Sequence, residues 1–320
     1  MPSGLIAVTG GTGFVGGALI DALRADGWRL RVLVRNPGRA RLPGDVEMIQ
    51  GDLGSEAALA ALCDGADCVI HGAALTRARS RREFFEVNAK GAGRIAAALS
   101  KGGAKGAYFV LVSSLAAREP KLSAYAASKR GGEKAVANAL SGRSWTALRP
   151  PAVYGPGDME LLSYFRAIRR GIALAPAIAP VDGRAARLSM IHVRDLAAAI
   201  AAAARQKPDG QHVLEVSDGT PGGYEWRDVR AAAAAELGVR PVPIAAPFVA
   251  MWLAGALNAA VSAIFGRRPM LTPGKVRELF HHDWSARCDE FAALTDWRPQ
   301  IALPAGFRET IDWYRGRELL

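Results

Sequence analysis

A glycine-rich turn between an apolar run and an Ala/Leu-rich segment constrains the fold of this chain more than any other feature. The run Leu5–Thr9 is followed by the sequence GGTGFVG, which contains Gly10, Gly13 and Gly16. Gly10 permits a tight turn, Gly13 lets the backbone approach a pyrophosphate, and Gly16 lets helix and strand pack closely, with the helix N-terminus facing the anion. The segment therefore predicts the first βα unit of a dinucleotide-binding sheet. An ordinary glycine-rich βα turn is the alternative.

The first half of the chain alternates short β-rich runs with longer helical segments, which indicates a parallel sheet wound by crossover helices. Strands are predicted near 5–9, 29–35, 46–50, 67–71, 106–112 and 144–149, and helices near 14–26, 55–62, 84–100 and 123–140. This order fits an α/β fold of the Rossmann type with a doubly wound parallel sheet. After Pro150 the content of Pro and Gly rises. Helices predicted near 159–170, 225–237, 247–265 and 304–315 form a smaller, mostly helical C-terminal part.

The second predicted strand ends in an arginine where NAD-binding sheets usually carry a carboxylate. Arg35 occupies this position, and Arg39 follows it closely. A carboxylate accepts hydrogen bonds from the adenosine ribose hydroxyls of NAD, whereas a guanidinium suits a 2′-phosphate by its charge and fork geometry. NADP is therefore the preferred cofactor and NAD the second choice. The alternative interpretation of Arg35 is a solvated surface arginine.

Further cofactor contacts are predicted around the same edge of the sheet. Thr12, Phe14 and Val15 lie within the glycine loop, and Asp52 and Leu53 follow the third predicted strand. The last two are candidates to contact adenine. A role for Asp52 as the N-cap of the next helix is equally consistent with the sequence.

A serine, a tyrosine and a lysine after the fifth predicted strand form a candidate catalytic group. The strand ends in Ser113 and Ser114, and Tyr125 and Lys129 follow, four residues apart on one face of a predicted helix. Hydride chemistry on an alcohol or ketone needs a proton donor or acceptor, and a phenol with a pKa near 10 needs help to serve near neutral pH. Lys129 and an oxidised nicotinamide ring would stabilise the phenolate. The serine hydroxyl would hydrogen-bond the reacting oxygen.

The predicted domain boundary is not a single cut. Residues 1–157 are predicted to form an NAD(P)-binding Rossmann domain, to which residues 187–217, with a strand near 212–216, return. Residues 158–186 and 218–320 are predicted to form the substrate-binding part.

The composition of the chain limits the classes of binding partner and the cellular compartment that we expect. The chain is basic, with 41 Lys and Arg against 30 Asp and Glu, but the arginines are scattered rather than clustered, so no nucleic acid partner is expected. Cys63, Cys68 and Cys288 lack metal-ligand spacing, so no metal is expected, and they are interpreted as buried thiols in a reducing compartment. The N-terminus shows no export signal, so a cytoplasmic location is expected.

At the glycine loop and the Tyr-Lys pair the chain resembles the extended short-chain dehydrogenase/reductase family, whose fold is shared by nucleotide-sugar epimerases and dehydratases. The resemblance covers nearly the whole chain. The segments that carry it are TGGTGFVG from Thr9, VIHGAA from Val69, VNAKG from Val87, YAASK from Tyr125, LRPPAVYGPGD from Leu148 and IHVRD from Ile191.

The resemblance implies several roles. Ala73 and Ala74 would line the cofactor groove, residues from Pro150 to Val153 would enclose the nicotinamide end, and Ser114 rather than Ser113 would be the catalytic serine. It also implies a homodimer through the helices near 84–100 and 123–140. His71, His192 and Asn88 are interpreted as structural residues. The family often has Tyr-Gly where this chain has Arg118-Glu119, which puts the shape of that loop in doubt.

The segment from Leu148 to Asp158 bears on the substrate. Sugar-nucleotide epimerases and dehydratases of the family usually carry Asn where this chain has Ala152, and the segment looks more like that of 3β-hydroxysteroid dehydrogenase and dihydroflavonol-reductase-like members. We therefore expect an oxidoreductase that transfers a hydride between NADP(H) and an apolar small-molecule alcohol or ketone. The alternatives are a nucleotide-sugar epimerase or dehydratase with tightly bound NAD, and a non-catalytic protein, which would be expected to have lost Tyr125 or Lys129.

One helical segment is apolar almost all round. Residues 248–265 are predicted first as a buried or pocket-lining helix, consistent with an apolar substrate. A peripheral membrane contact through 248–268, aided by Arg267 and Arg268, is the second interpretation.

Overall fold

A computed structural model describes residues 4–320; residues 1–3 of the predicted first domain lie outside the described residues. The strands are β1 (Leu5–Thr9), β2 (Arg29–Val34), β3 (Glu47–Gln50), β4 (Cys68–His71), β5 (Tyr108–Val112), β6 (Trp145–Arg149), β7 (Ala152–Tyr154), β8 (Ile172–Pro176), β9 (Arg187–Leu188), β10 (Met190–His192), β11 (Gln211–Glu215), β12 (Tyr224–Glu225), β13 (Val242–Ala246) and β14 (Asp283–Trp284).

The α-helices are α1 (Phe14–Ala25), α2 (Glu56–Cys63), α3 (Arg81–Phe84), α4 (Gly91–Gly102), α5 (Ala124–Ala139), α6 (Leu162–Arg169), α7 (Val193–Gln206), α8 (Trp226–Leu237), α9 (Phe248–Ile264), α10 (Pro273–Leu279), α11 (Asp289–Leu294) and α12 (Leu303–Arg315). A π-helical turn, Phe85–Lys90, joins α3 to α4. The single helix predicted near 84–100 is therefore three consecutive helical pieces.

The central sheet is parallel and doubly wound. Its seven strands lie in the order β11-β6-β5-β4-β1-β2-β3. The chain moves outward from β1 through β3 and then returns to β4 on the other side of β1, so the strand order reverses between β1 and β4. In open α/β sheets, ligands bind outside the carboxyl ends of the strands at this switch point. The predicted Rossmann fold is confirmed, and the switch point is the position at which sheets of this kind bind their ligands.

Two apolar layers bury the sheet. Alternate side chains of β1 point to opposite faces, so that Ile6 and Val8 pack toward α1 and α7, while Ala7 packs toward α2, α4 and α5. All five residues of β1 are buried, as expected for a parallel strand covered on both faces. Burial on both faces is what produces the near-continuous apolar runs from which these strands were predicted.

The C-terminal part has its own core and short strands. Aromatic rings of Tyr154, Phe165, Phe307 and Tyr314 pack edge-on or tilted between α6, α12 and β7, with ring centroids 5.1–5.9 Å apart. The small sheets pair β7 with β10, β8 with β13, and β9 with β12 and β14. Residues after 186 divide between the two regions, because α7 covers the central sheet and β11 joins it, whereas β9 and β10 join small sheets.

The prediction that residues 248–265 form a buried helix is wrong. Within α9 only Gly255 and Ser262 are buried, while Leu253 and Leu257 are 57% and 67% exposed. The helix packs through its small side chains onto the start of α10, where a Cβ on Gly255 would lie 3.0 Å from the Thr272 carbonyl carbon. Apolar composition predicted burial, but the fold covers only the face that carries Gly255, Ser262 and, at the start of the helix, Phe248, whose ring packs against Phe280.

Candidate active site

The glycine loop passes too close to its neighbours for side chains at two positions. Gly10 has a positive φ of 81°, and a Cβ there would lie 2.6 Å from the backbone nitrogen of Ala73. A Cβ on Gly16 would lie 2.1 Å from the Gly10 carbonyl oxygen. Gly10 thus brings the ends of β1 and β4 together, and Gly16 lets α1 begin directly beneath the turn.

The start of α1 is open to an anion. Gly13 is its N-cap residue, no side chain caps the helix, and its first turn contains no acidic residue. Thr12 and Gly13 are exposed, and Phe14 and Val15 are half-buried. Free N–H groups and the helix dipole at such a position attract phosphate groups. The loop residues therefore fit a pyrophosphate, and Phe14 packs beside Gly157, so the loop after β7 lies next to this site.

The side chains proposed to contact the adenosine end lie along the same edge of the sheet. Arg35 and Arg39 are exposed just beyond β2, and neither side chain makes an ion pair within the part of the chain that the structure describes. Asp52 is exposed beyond β3 and accepts a hydrogen bond from the Gly54 nitrogen at 2.8 Å. It is not the N-cap of α2, because Ser55 holds that position.

Leu53 and the alanines after β4 differ in their exposure. Leu53 is partly buried against Gly91 at the start of α4. Ala73 is half-buried and donates its N–H to Thr9 Oγ1 at 3.3 Å, while Ala74 is exposed. The Thr9 hydroxyl also bonds His71 Nδ1 at 2.7 Å. These contacts fasten the carboxyl ends of β1 and β4 to each other at the switch point.

The two histidines of the family-like segments are packed residues. Burial and the nearby Lys129 lower the pKa of His71 to about 3, so its imidazole is neutral at physiological pH. His192 is fully buried, and its Nδ1 accepts the Arg194 N–H at 3.3 Å as the N-cap of α7. The neutral, buried His71 and the capping contact of His192 both agree with the interpretation of these histidines as structural residues.

Ser114, Tyr125 and Lys129 come from two elements that meet beside the switch point. Ser114 follows β5 and accepts the Ala116 N–H at 3.2 Å, which fixes its hydroxyl at the start of a short 3₁₀ turn. Tyr125 and Lys129 lie one helical turn apart in α5, whose N-cap is Ser123. The Tyr125 ring is half-buried and packs against Phe84, with centroids 6.0 Å apart.

Burial shifts the acid–base properties of this group. It raises the pKa of Tyr125 to about 12, with the neighbouring Ser114 hydroxyl opposing the shift. Burial lowers the pKa of Lys129 to about 8, while the Glu133 carboxylate opposes that change. Near neutral pH the phenol is therefore protonated, and Lys129 keeps most of its positive charge.

A buried ionic network that the sequence did not indicate lies behind Lys129. Lys129 Nζ donates to the Val112 carbonyl oxygen at 2.7 Å. One turn along α5, Glu133 accepts two hydrogen bonds from Arg149 at 2.8 and 2.6 Å and one from Ser113 Oγ at 2.6 Å. Glu133 and Arg149 are 4% and 9% exposed, so this bidentate pair is shielded from water. In the sequence, the network is visible only as a glutamate four residues after Lys129, a spacing that by itself does not predict a partner.

Asn88 links the loop after β4 to α5. Its Oδ1 accepts the Leu75 N–H at 2.7 Å, and its Nδ2 donates to the Leu75 carbonyl at 3.0 Å and to Ser128 Oγ at 2.9 Å. Asn88 is 3% exposed and lies in the π-helical turn. These hydrogen bonds agree with the interpretation of Asn88 as a structural residue.

The C-terminal part contacts the site at two positions. Arg118, in the loop where the family pattern is lost, donates to the carbonyl oxygens of Asp283 and Ser285. Ser123, the N-cap of α5, donates its hydroxyl to the buried Glu278 of α10. These two contacts, which the sequence did not reveal, tie the C-terminal part to the loop after Ser114 and to the start of α5.

The last predicted cofactor residues lie between the sheet and the C-terminal part. Pro150 is buried, and its carbonyl accepts the Leu115 N–H at 2.8 Å, next to Ser114. Val153 is half-buried in β7, and Ala152 is exposed beside it. The structure thus gathers the loops after β1, β4, β5 and β6 at one edge of the sheet. Such an arrangement can bind a dinucleotide and move a proton at a bound oxygen.

Sequence comparison identifies a family and several relatives that this chain resembles. Residues 6–216 match the sequence model of the NAD dependent epimerase/dehydratase family. The chain is 43% identical over 315 residues to the ceramide reductase of Caulobacter vibrioides, covering 98% of this chain and 95% of that protein. It is 29% identical over 234 residues to the 3 beta-hydroxysteroid dehydrogenase/Delta 5-->4-isomerase of Mycobacterium tuberculosis, covering 65% and 62% of the two chains.

Solved structures share the fold across the whole chain. The UDP-glucose 4-epimerase of Thermus thermophilus, solved in complex with NAD, superposes with a TM-score of 0.69 at 24% identity, covering 98% of this chain and 99% of the epimerase.

Proposed function

This chain belongs to the NAD dependent epimerase/dehydratase family, and from that membership we propose that it reduces the ketone of a ceramide-type lipid with NADPH. The observation that carries the proposal is the 43% identity to a ceramide reductase over nearly the full length of both proteins. A ceramide is an N-acylated long-chain amino alcohol. Its secondary hydroxyl is the one group that hydride addition to a ketone would form, so the corresponding ketone is the proposed substrate.

The proposed mechanism assigns one task to each catalytic side chain. Ser114 hydrogen-bonds the carbonyl oxygen, and Tyr125 donates a proton to that oxygen as its negative charge develops. Lys129 stabilises the resulting phenolate by its positive charge. When bound, the nicotinamide cofactor supplies the hydride. Burial raises the pKa of Tyr125 above its ordinary value, so the phenol is protonated near neutral pH, which is the form that donates a proton.

The proposal divides the chain between cofactor and substrate. Residues 1–157 with 187–217 bind the cofactor, and residues 158–186 and 218–320 bind the apolar part of the substrate. We also propose that the protein forms a homodimer through the helices near 84–100 and 123–140. Its proposed location is the cytoplasm. The exposed Ala152, where epimerases of the family usually place asparagine, supports an apolar substrate over a nucleotide sugar.

The direct test is to offer purified protein the ketone form of a ceramide, a steroid ketone and UDP-glucose. We expect NADPH consumption at 340 nm with the lipid ketone and formation of the ceramide by mass spectrometry. Conversion of UDP-glucose alone, with tightly held NAD and no net consumption, would establish an epimerase and end the reductase proposal.

Arg35 is proposed to select NADPH through the 2′-phosphate. Arg35→Asp is expected to shift the ratio of kcat/KM for NADPH over NADH at least about tenfold toward NADH, because an attractive charge becomes a repulsive one. Arg29→Asp is the matched control, since Arg29 is exposed at the opposite end of β2. Equal ratios in wild type and Arg35→Asp would remove Arg35 from cofactor selection.

Lys129 is expected to set the alkaline limb of the pH profile for reduction. Its pKa is lowered to about 8, so raising the pH through that value removes the charge that stabilises the phenolate. The kcat/KM for the ketone should therefore fall above about pH 8. Lys129→Met should be slower near neutral pH and should lack this limb. A wild-type profile that rises between pH 7 and about pH 9 would contradict the role of the lysine.

A further inference from the structure

Helix α9 exposes its large apolar side chains to solvent. Eleven of the 18 exposed large apolar side chains in residues 4–320 lie between residues 242 and 270. We define the α9 face as the side chains that point away from the protein on this helix: Val249, Leu253, Leu257, Val261 and Ile264. Each is between 42% and 79% exposed. A contiguous apolar surface of this kind marks an interaction site.

The helix is oriented with its apolar face outward. The residues that face the protein are the buried Gly255 and Ser262, which lie two turns apart, and Phe248 at the start of the helix, whose ring packs against Phe280. A surface helix normally turns its large apolar side chains toward the core and its polar ones to water. The orientation of α9 therefore requires an apolar environment outside the described chain.

The exposed apolar surface continues from α9 onto two strands that precede it in the sequence. In the paired strands β8 and β13, Ile172 lies beside Val242, and Leu174 lies beside Ile244. All four side chains are exposed. Strand β13 leads into α9 through Pro247 alone, so this exposed pair adjoins the N-terminal end of the helix.

The charged residues within the segment that carries the α9 face are all basic. Residues 237–277 contain no Asp or Glu but contain Arg240, Arg267, Arg268, Lys275 and Arg277. Arg268 pairs with Glu83 and Lys275 with Glu278, whereas Arg240 and Arg267 are exposed and make no ion pair in the described part of the chain. An apolar helix face flanked by unpaired cations complements a lipid surface, whose acyl chains accept the apolar side chains and whose anionic headgroups attract the cations.

We propose that the α9 face docks on an anionic lipid bilayer, with α9 lying in the plane of the interface. No helix in residues 4–320 is long and apolar enough to cross a membrane. The occupant is a bilayer rather than the same face of a second copy of this chain, because residues 237–277 contain no Asp or Glu with which the basic flank of that copy could pair.

Docking would bring the catalytic helix to the membrane surface. Just beyond α9, Arg268 pairs with Glu83, which precedes the Phe84 ring that packs against Tyr125. A Cβ on Gly274 of α10 would lie 3.0 Å from the Ser123 Cβ, at the N-cap of α5. Access of a membrane lipid to Tyr125 rests on the proposed function, but docking itself can be measured without turnover.

The test is flotation of the full chain with vesicles. We expect the wild type to float with phosphatidylcholine vesicles that contain a third phosphatidylglycerol, more weakly with pure phosphatidylcholine, and less at high salt. Leu257→Glu/Ile264→Glu should lower partition into anionic vesicles at least about tenfold, since two side chains that the bilayer would bury in the bound state lose their contact with lipid. Arg267→Ala should lower it about fivefold.

The matched control is Leu294→Glu, which places the same charge on an exposed leucine of α11, outside the α9 face. It should float like the wild type. If the wild type does not float with anionic vesicles, or if Leu294→Glu impairs flotation as strongly as the α9 variant, the proposal is overturned. A wild-type dimer that Leu257→Glu/Ile264→Glu converts to monomer, without vesicle binding, would instead assign the face to a second copy.

Discussion

Tyr125→Phe is expected to lower kcat for reduction of the lipid ketone by about 10²–10⁴-fold, the contribution of a positioned general acid. The substitution removes only the hydroxyl. The phenyl ring keeps its packing against Phe84, 6.0 Å between centroids, so the shape of the site is preserved. Cofactor affinity, measured by fluorescence titration with NADPH, should stay nearly unchanged because the pyrophosphate and adenosine sites lie on other loops.

Tyr108→Phe separates loss of chemistry from loss of a buried hydroxyl. The Tyr108 hydroxyl bonds Thr146 Oγ1 at 2.6 Å and the Pro208 carbonyl at 3.1 Å, at the end of β5 opposite Ser114. This control should lose about 1–3 kcal/mol of stability, because Thr146 and Pro208 lose a buried partner, and it should keep its kcat. If Tyr125→Phe retains turnover near the wild-type rate, Tyr125 is not the acid–base residue.

The cofactor half of the site could be predicted because its signals are local. The turn geometry required of Gly10 and Gly16 acts over a few residues, and the buried strands around them show as apolar runs. The predicted ends of the central strands agree with the structure to within two residues. Ser114, Tyr125 and Lys129 were likewise found by spacing along one strand end and one helix face.

The interactions behind the catalytic residues could not be predicted, because they join positions that are distant in sequence. Ser123 and Glu278 are 155 residues apart, and nothing near either residue indicates the other. The anchoring of Arg118 to residues 283–285 also depends on how the C-terminal part folds back. The burial of α9 was mispredicted for a related reason, because composition shows how apolar a helix is, while the surrounding fold decides which of its faces are covered.

Arg149→Met is expected to destabilise the protein by about 3–5 kcal/mol, the cost of leaving one partner of a buried ion pair unpaired. Glu133 would remain 4% exposed with its two guanidinium hydrogen bonds removed, leaving Ser113 and the more distant Arg130 as partners. The measurement is the free energy of unfolding from urea denaturation. Arg130→Met is the control, because Arg130 is 43% exposed and lies 3.4 Å from the same carboxylate, so its loss should cost less than about 1 kcal/mol.

The double variant Glu133→Gln/Arg149→Met distinguishes the structural role of the pair from its influence on Lys129. Removing both charges eliminates the unpaired buried carboxylate, and glutamine can still accept the Ser113 hydroxyl, so much of the lost stability should return. The pKa of Lys129, however, loses the carboxylate that opposes its lowering. Its charge should then be lost at lower pH, and the alkaline limb of kcat/KM should move below about pH 8 while the fold is restored. Recovery of stability with an unmoved limb would show that Glu133 serves packing alone.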